Sequence, residues 1–142
     1  MFFNDIFIAS AVGWFFSQMT KLLSNLLKRR EKVFWNFVWA SGFPSTHSAL
    51  TTSTSVYILF KFGLADPLFG LSLILTFIVI YDRLKINQVY RIIRSVYPNL
   101  DDRALEKGIH LNETFGHRFI EVVAGILIGI FSGFLTFWLY GS

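Results

Sequence analysis

Apolar positions gather into four stretches along the chain, and the charges fall mostly between them. Ile6 to Leu27 contains a single charge, Lys21, late in the stretch, and Phe119 to Tyr140 contains only Glu121, near its start. Between them, Ser45 to Leu64 and Pro67 to Tyr81 are separated by Ala65-Asp66, which predicts a helical hairpin with a tight turn. A helix needs roughly 20 apolar residues to cross a ~30 Å hydrocarbon core, so the third stretch is short and the second is polar at its start. The pattern predicts an all-α integral membrane bundle, a single membrane domain over 1–142 with about four transmembrane helices at about 6–27, 45–64, 67–81 and 119–140. Met1-Phe2-Phe3-Asn4-Asp5 has no basic residue and no small-residue cleavage site follows, so the N-terminus does not read as a secretory signal.

The two long connections, 28–44 and 82–118, fall on one face of the membrane if the crossings alternate. They hold Lys28, Arg29, Arg30, Lys32, Arg83, Lys85, Arg91, Arg94, Arg103, Lys107 and Arg118, 11 of the 13 basic residues. Positively charged loops stay inside, so that face is expected to be cytoplasmic and both termini outside. Within 82–118, Ile86, Val89, Tyr90, Ile93, Val96 and Tyr97 recur at helical spacing opposite Asn87, Arg91 and Arg94, and Pro98-Asn99 ends the pattern. This predicts a cytoplasmic helix lying in the headgroup layer. A second short helix is expected from about Asp101 to Lys107, capped by Asn99 or Asp101 and stopped by Gly108.

Composition sharpens the class. Hydrophobic residues make up 54% and charged residues only 15%, with 17 Phe, where soluble domains carry about 25% charged residues. The mean hydropathy of +0.53 agrees. The absence of Cys excludes disulfides, thiolate metal sites and cysteine-based phosphatase or protease chemistry. On a membrane protein the net charge of +4 speaks for orientation and affinity for anionic lipid, and no nucleic acid is expected as a partner.

The richest chemistry lies in Gly42-Phe43-Pro44-Ser45-Thr46-His47-Ser48. Gly then Pro at the mouth of an apolar run is a helix start, with Pro44 at or near the first helical position. Such a start leaves backbone N–H groups beside the positive end of the helix dipole, a ready anion site. Ser45, Thr46 and Ser48 add hydroxyl donors, and His47 can give or take a proton near neutral pH. An ordinary N-cap with an interfacial histidine explains these residues equally well.

A second cluster, Gly116-His117-Arg118-Phe119-Ile120-Glu121, opens the last stretch. His117 and Glu121 are four apart, so on a helix the carboxylate can accept from one imidazole nitrogen and leave the other as a nucleophile. Glu121 also lies just inside an apolar span, where an ionisable group is a functional candidate, although simple pairing with Arg118 or Lys21 accounts for it too. Topology joins the clusters. His47 opens the second span, Asp82 closes the third, His117 opens the fourth, and Lys21 lies about two turns before the end of the first. Two histidines, a lysine, hydroxyls and helix N-termini at one depth describe a phosphate site better than a metal site. The three histidines are too few and too poorly spaced for a zinc motif, and neither a metal nor another cofactor is expected.

Gly-Phe-Pro-Ser-Thr-His-Ser-Ala at 42–49, Tyr81-Asp82 after an apolar helix, and Leu111-Asn112-Glu113-Thr114-Phe115-Gly116-His117 followed by Glu121-Val122 and Gly125 resemble the divergent PAP2 family. These are small membrane proteins related to acid phosphatases and vanadium-dependent haloperoxidases, and the resemblance runs in order over nearly the whole chain. It implies a metal-independent phosphatase of a lipid phosphomonoester or diphosphate. By motif, His117 resembles the nucleophile that forms a phosphohistidine, Glu121 takes the place of the orienting Asp, and His47 resembles the general acid. Ser45 and Lys21 would hold the phosphate, together with Thr46, Ser48, Asp82, Arg83 and Arg118 at the same mouth.

The chain departs from the wider superfamily in two places. Where an Arg-Pro follows the motif lysine by seven residues, this chain has Lys28-Arg29, and where an arginine precedes the nucleophile by six, it has Leu111. After Tyr81-Asp82 the family usually continues with a glycine and an arginine pair, and this chain reads Arg83-Leu84-Lys85. The missing arginines leave open an alternative, a non-catalytic protein that binds or transports anionic lipid. Gly125, Gly129 and Gly133 form a small-residue ridge on the last span, compatible with a homodimer or with a tight internal bundle.

Overall fold

A computed structural model of the chain describes residues 4–27, 43–99 and 119–141, which form four helices with no strand among them. They are α1 (Asp5–Leu27), α2 (Thr46–Phe62), α3 (Pro67–Val96) and α4 (Phe119–Tyr140), so each expected span contains one helix. The expected short helix at 101–107 lies outside the described residues. α1, α3 and α4 are long and apolar enough to cross a membrane. α2 has only 17 residues, a length of ~25 Å at 1.5 Å per residue, and its sequence is rich in Ser and Thr.

α2 tolerates that polarity because it is the helix the others surround. Its two ends meet the two ends of α1, Lys61 bonding Asp5 and Thr46 bonding Lys21, so the two helices run antiparallel over the same depth. Ser45 meets Glu121 at one end of α4 and Phe60 stacks on Phe137 near the other, so α4 runs parallel to α2. α3 returns antiparallel after a turn in which Gly63 takes a positive φ of 90° and Asp66 caps Leu68 N–H at 2.8 Å. Large apolar side chains such as Leu71, Phe77, Leu127 and Phe131 face outward, while Ser17, Ser48, Thr52, Ser53, Ser55, Thr76, Ser132 and Thr136 are buried. That is the reverse of a soluble domain and the arrangement lipid demands, since polar groups must find partners inside the protein. Ser53 donates to the Ala9 carbonyl at 2.7 Å, Ser10 and Thr54 share a bond of 2.6 Å, and Ser55 and Thr76 one of 2.9 Å.

Close approach of the backbones depends on missing side chains. A Cβ on Gly125 would run into the Ser45 carbonyl oxygen, one on Gly129 would stand 2.6 Å from Thr52 Cβ, and one on Gly133 2.5 Å from the Ser53 carbonyl oxygen. The glycine ridge is therefore occupied by α2 of its own chain. Of its two possible uses, the structure shows the internal bundle, and a homodimer through Gly125, Gly129 and Gly133 would need the same surface. Gly13 on α1 meets Ser53 and Ala49 from the other side in the same manner.

The third span is longer than its apolar stretch. Where the sequence predicts a crossing that ends at Tyr81 and a separate helix in the headgroup layer, α3 continues unbroken to Val96, ~45 Å in all. The charges from Asp82 onward mark a change of surroundings, but no Gly or Pro lies between Gly70 and Pro98 to end the helix. Tyr97 closes it with an N–H bond to the Ile93 carbonyl of 2.9 Å.

Candidate functional site

The end of the bundle where α2 and α4 begin is built around the first turn of α2. Pro44 is buried one residue ahead of the N-cap, near the first helical position as the sequence suggests. Ser45 is the N-cap, with φ −70° and ψ 111°. Its hydroxyl accepts from Ser48 N–H at 3.4 Å and from the Ser48 hydroxyl at 3.0 Å. Its own N–H donates to the Glu121 carbonyl at 2.9 Å, which ties the start of α2 to the first turn of α4. Ser45 and Ser48 are fully buried and lie against Gly125. Both hydroxyls cap and pack the turn, on which the glycine lets α4 sit directly.

Thr46 is turned toward α1. Its Oγ1 accepts from Lys21 Nζ at 2.7 Å and from Ser17 Oγ at 3.2 Å. A hydroxyl has two lone pairs and one proton, so with both lone pairs engaged Thr46 keeps an O–H to donate. Lys21 is only 6% exposed. Its ammonium stands at the first residue of α2, at the positive end of that helix dipole, where a cation is disfavoured. Glu121 is the acidic group whose charge acts on it.

His47 lies on the exposed side of the same turn. One guanidinium nitrogen of Arg83, from α3, stands 3.0 Å from His47 Nε2. A guanidinium has no acceptor, so Nε2 must supply a lone pair, and the imidazole in this contact is neutral with its proton on Nδ1. Asp82 is exposed and makes no hydrogen bond among the described residues. The structure thus brings Lys21, Ser45, Thr46, His47, Ser48, Arg83 and Glu121 to one end of the bundle and leaves Asp82 at its margin. His117 and Arg118, and with them the expected pairing of His117 with Glu121, lie outside the described residues. Among the described residues no three acidic or histidine side chains converge as metal ligands would.

Sequence reasoning missed Ser17. The signal was present: Ala9, Gly13, Ser17 and Lys21 recur every four residues, a second ridge of small residues that leads along one face of α1 to the lysine. All four are buried.

A family profile described as the Divergent PAP2 family matches residues 2–132, and the chain belongs to that family. It is also similar to an uncharacterized membrane protein, YuiD, of Bacillus subtilis strain 168, with 28% identity over 145 residues covering 89% of this chain and 90% of that protein. No solved structure matches. The family and the relative agree with the outward apolar faces in assigning the chain to a membrane.

Proposed function

We propose that this protein is a membrane phosphatase that hydrolyses a phosphomonoester or diphosphate of a lipid, at the mouth formed by α2, α4 and Lys21. One observation carries the reading: a buried ammonium is held against the positive end of a helix, an arrangement that a bound anion would reconcile. Lys21 and the Thr46 hydroxyl offer donors, and Arg83 adds a second cation from α3. Two cations there face Glu121 and the exposed Asp82 at the margin, and the dipole of α2 tips the balance toward the positive side, which suits an anion. Tails of a lipid substrate would lie along the apolar outer faces while its headgroup enters between the helices. The excess of Lys and Arg in 28–44 and 82–118 supports a mouth on the cytoplasmic side.

In the reaction proposed from the family motifs, a ring nitrogen of His117 attacks phosphorus while Glu121 accepts a hydrogen bond from the N–H of the other nitrogen and so orients the ring. The P–N bond forms, the ester P–O bond breaks, and the leaving oxygen takes a proton from His47. Water then cleaves the P–N bond, His47 accepts the water proton, and phosphate is released. The absent arginine at Leu111 and the Lys28-Arg29 that stands in place of an Arg-Pro favour the second reading, in which anionic lipid is bound without turnover.

Phosphate release from a panel of lipid phosphates by the detergent-purified chain, with EDTA present, separates the two. Release by the wild type that is lost in His117→Ala and His47→Ala supports the phosphatase. No release from any lipid, with the chain folded and lipid still bound, selects the binding reading.

A further inference from the structure

We infer that Arg83 is a positioning residue that holds His47 unprotonated until an anion arrives, so that anion binding at this mouth is coupled to uptake of a proton by His47. The inference rests on the mouth being an anion site, as proposed above, and adds an order of events. It starts from one contact. The 3.0 Å bond from Arg83 to His47 Nε2 exists only while Nε2 keeps its lone pair. A general acid must carry a proton on the nitrogen that faces the leaving oxygen, and the contact with Arg83 excludes that proton from Nε2. Bond and acid function are therefore alternatives at the same atom.

A tetrahedral dianion at the start of α2 exchanges them. An exposed guanidinium to imidazole bond is weak, whereas guanidinium to phosphate bonds are charge-assisted and bidentate. Arg83 leaves Nε2 for the anion, and the freed lone pair takes a proton from solvent, which reaches His47 because the ring is exposed. The charge change then favours the protonated ring, since a dianion has replaced a cation as its neighbour. Among the described residues, the other charged groups at this mouth are Lys21 on α1, Asp82 on α3 and Glu121 on α4. Lys21 is occupied with Thr46 and with the field of Glu121, and Asp82 stands exposed at the margin. Among these described residues, Arg83 bonds the ring directly.

The proposal separates Arg83 from a residue that merely adds affinity. Calorimetric titration of the full chain in detergent with tungstate, a tetrahedral dianion with no proton to exchange near neutral pH, run in buffers of different ionisation enthalpy, counts the protons taken up. The expected result for the wild type is uptake of about one proton per anion above the imidazole range, lost in His47→Gln. In the unliganded chain the ¹⁵N shift of His47 Nε2 should be that of an unprotonated ring nitrogen bearing a hydrogen bond. In Arg83→Gln binding weakens and proton uptake falls near neutral pH, because the ring no longer has to be released. Binding without proton uptake by the wild type, uptake that persists in His47→Gln, or unchanged uptake in Arg83→Gln overturns the coupling and leaves the anion site standing. Absence of tungstate binding together with absence of phosphate binding overturns the anion site itself.

Discussion

Lys61 lies in the last turn of α2, at the negative end of the helix dipole, while Lys21 reaches the first residue of the same helix, at the positive end. Lys61 is satisfied within the chain. Its ammonium stands 2.7 Å from Asp5 Oδ2 and 3.0 Å from the Tyr57 hydroxyl, and lies over the Tyr57 ring at 5.4 Å. Asp5 in turn occupies the first turn of α1, where a negative charge is favoured. Among the described residues, Lys61 and Asp5 at that end each face their complement. At the other end a more deeply buried ammonium faces a hydroxyl and a helix N-terminus, with Glu121 as its acidic neighbour. The difference teaches that a lysine placed with the dipole is held by charges of its own chain that suit it, whereas one placed against it stands where the proposed anion would be favoured.

The largest effect is therefore expected at Lys21. Lys21→Met keeps the length and apolar body of the side chain and removes the ammonium. Phosphate release should fall by about 10²- to 10³-fold, the size found when one preorganised donor is lost. The thermal midpoint in detergent should change little beside that loss, because relief from burying a cation is set against the lost bond to Thr46 and the lost attraction to Glu121. Lys61→Met should do the reverse, lowering the midpoint and leaving release near the wild-type rate. If Lys21→Met unfolds the chain while retaining activity when folded, the two lysines are both structural and the contrast fails.

The glycines extend the comparison from charge to shape. Gly129→Leu forces a side chain into Thr52 and the Ala49 carbonyl, and over-packing of this kind costs about 1–3 kcal/mol or more. Gly70 has nothing within 4 Å of the position of an added Cβ, so Gly70→Ala should leave the unfolding midpoint in denaturant at or above that of the wild type. Gly125→Ala is the informative intermediate. It pushes on the Ser45 carbonyl and Ser48, so it should reduce phosphate release more than its loss of stability alone explains, because it displaces the first turn of α2. Equal loss in Gly125→Ala and Gly133→Ala would mean that the ridge serves packing alone.

Much of this was legible in the sequence, for reasons that the structure makes specific. Single charges inside otherwise apolar runs located Lys21 and Glu121, and alternation of crossings placed them with His47 at one end. The Ala65-Asp66 turn was readable because Asp caps a helix that starts with Pro67. The far end of α3 was not, because Asp82 and Arg83 look like a membrane exit, and leaving the membrane does not break backbone hydrogen bonds. The Ser and Thr run of α2 suggested a weak span. Its real meaning, a helix enclosed by three others, depends on partners on α1, α3 and α4 that no local pattern contains. The hydroxyls of Ser45 and Ser48 were read as open donors because sequence cannot show Gly125 lying on top of them. The bond between Arg83 and His47 joins residues 36 positions apart and was not foreseeable as a pair.

The smallest expected effect lies at the closed end. Asp5 and Lys61 remain partly open to their surroundings, with side-chain exposures of 20% and 26%, so their attraction is shared with solvent and headgroups and is screened by salt. Asp5→Asn should lower the thermal midpoint slightly, and the loss should shrink as salt is raised. Asp5→Lys should lower it further, since it sets two cations against each other at the start of α1. Adding Lys61→Asp restores an opposite pair with both charges exchanged, and the outcome distinguishes two accounts of why the end is closed. If the pair alone matters, the doubly exchanged chain regains the wild-type midpoint. If the dipoles of α1 and α2 contribute, as the contrast between the two lysines requires, recovery stays partial, because each charge now sits at the helix end that disfavours it.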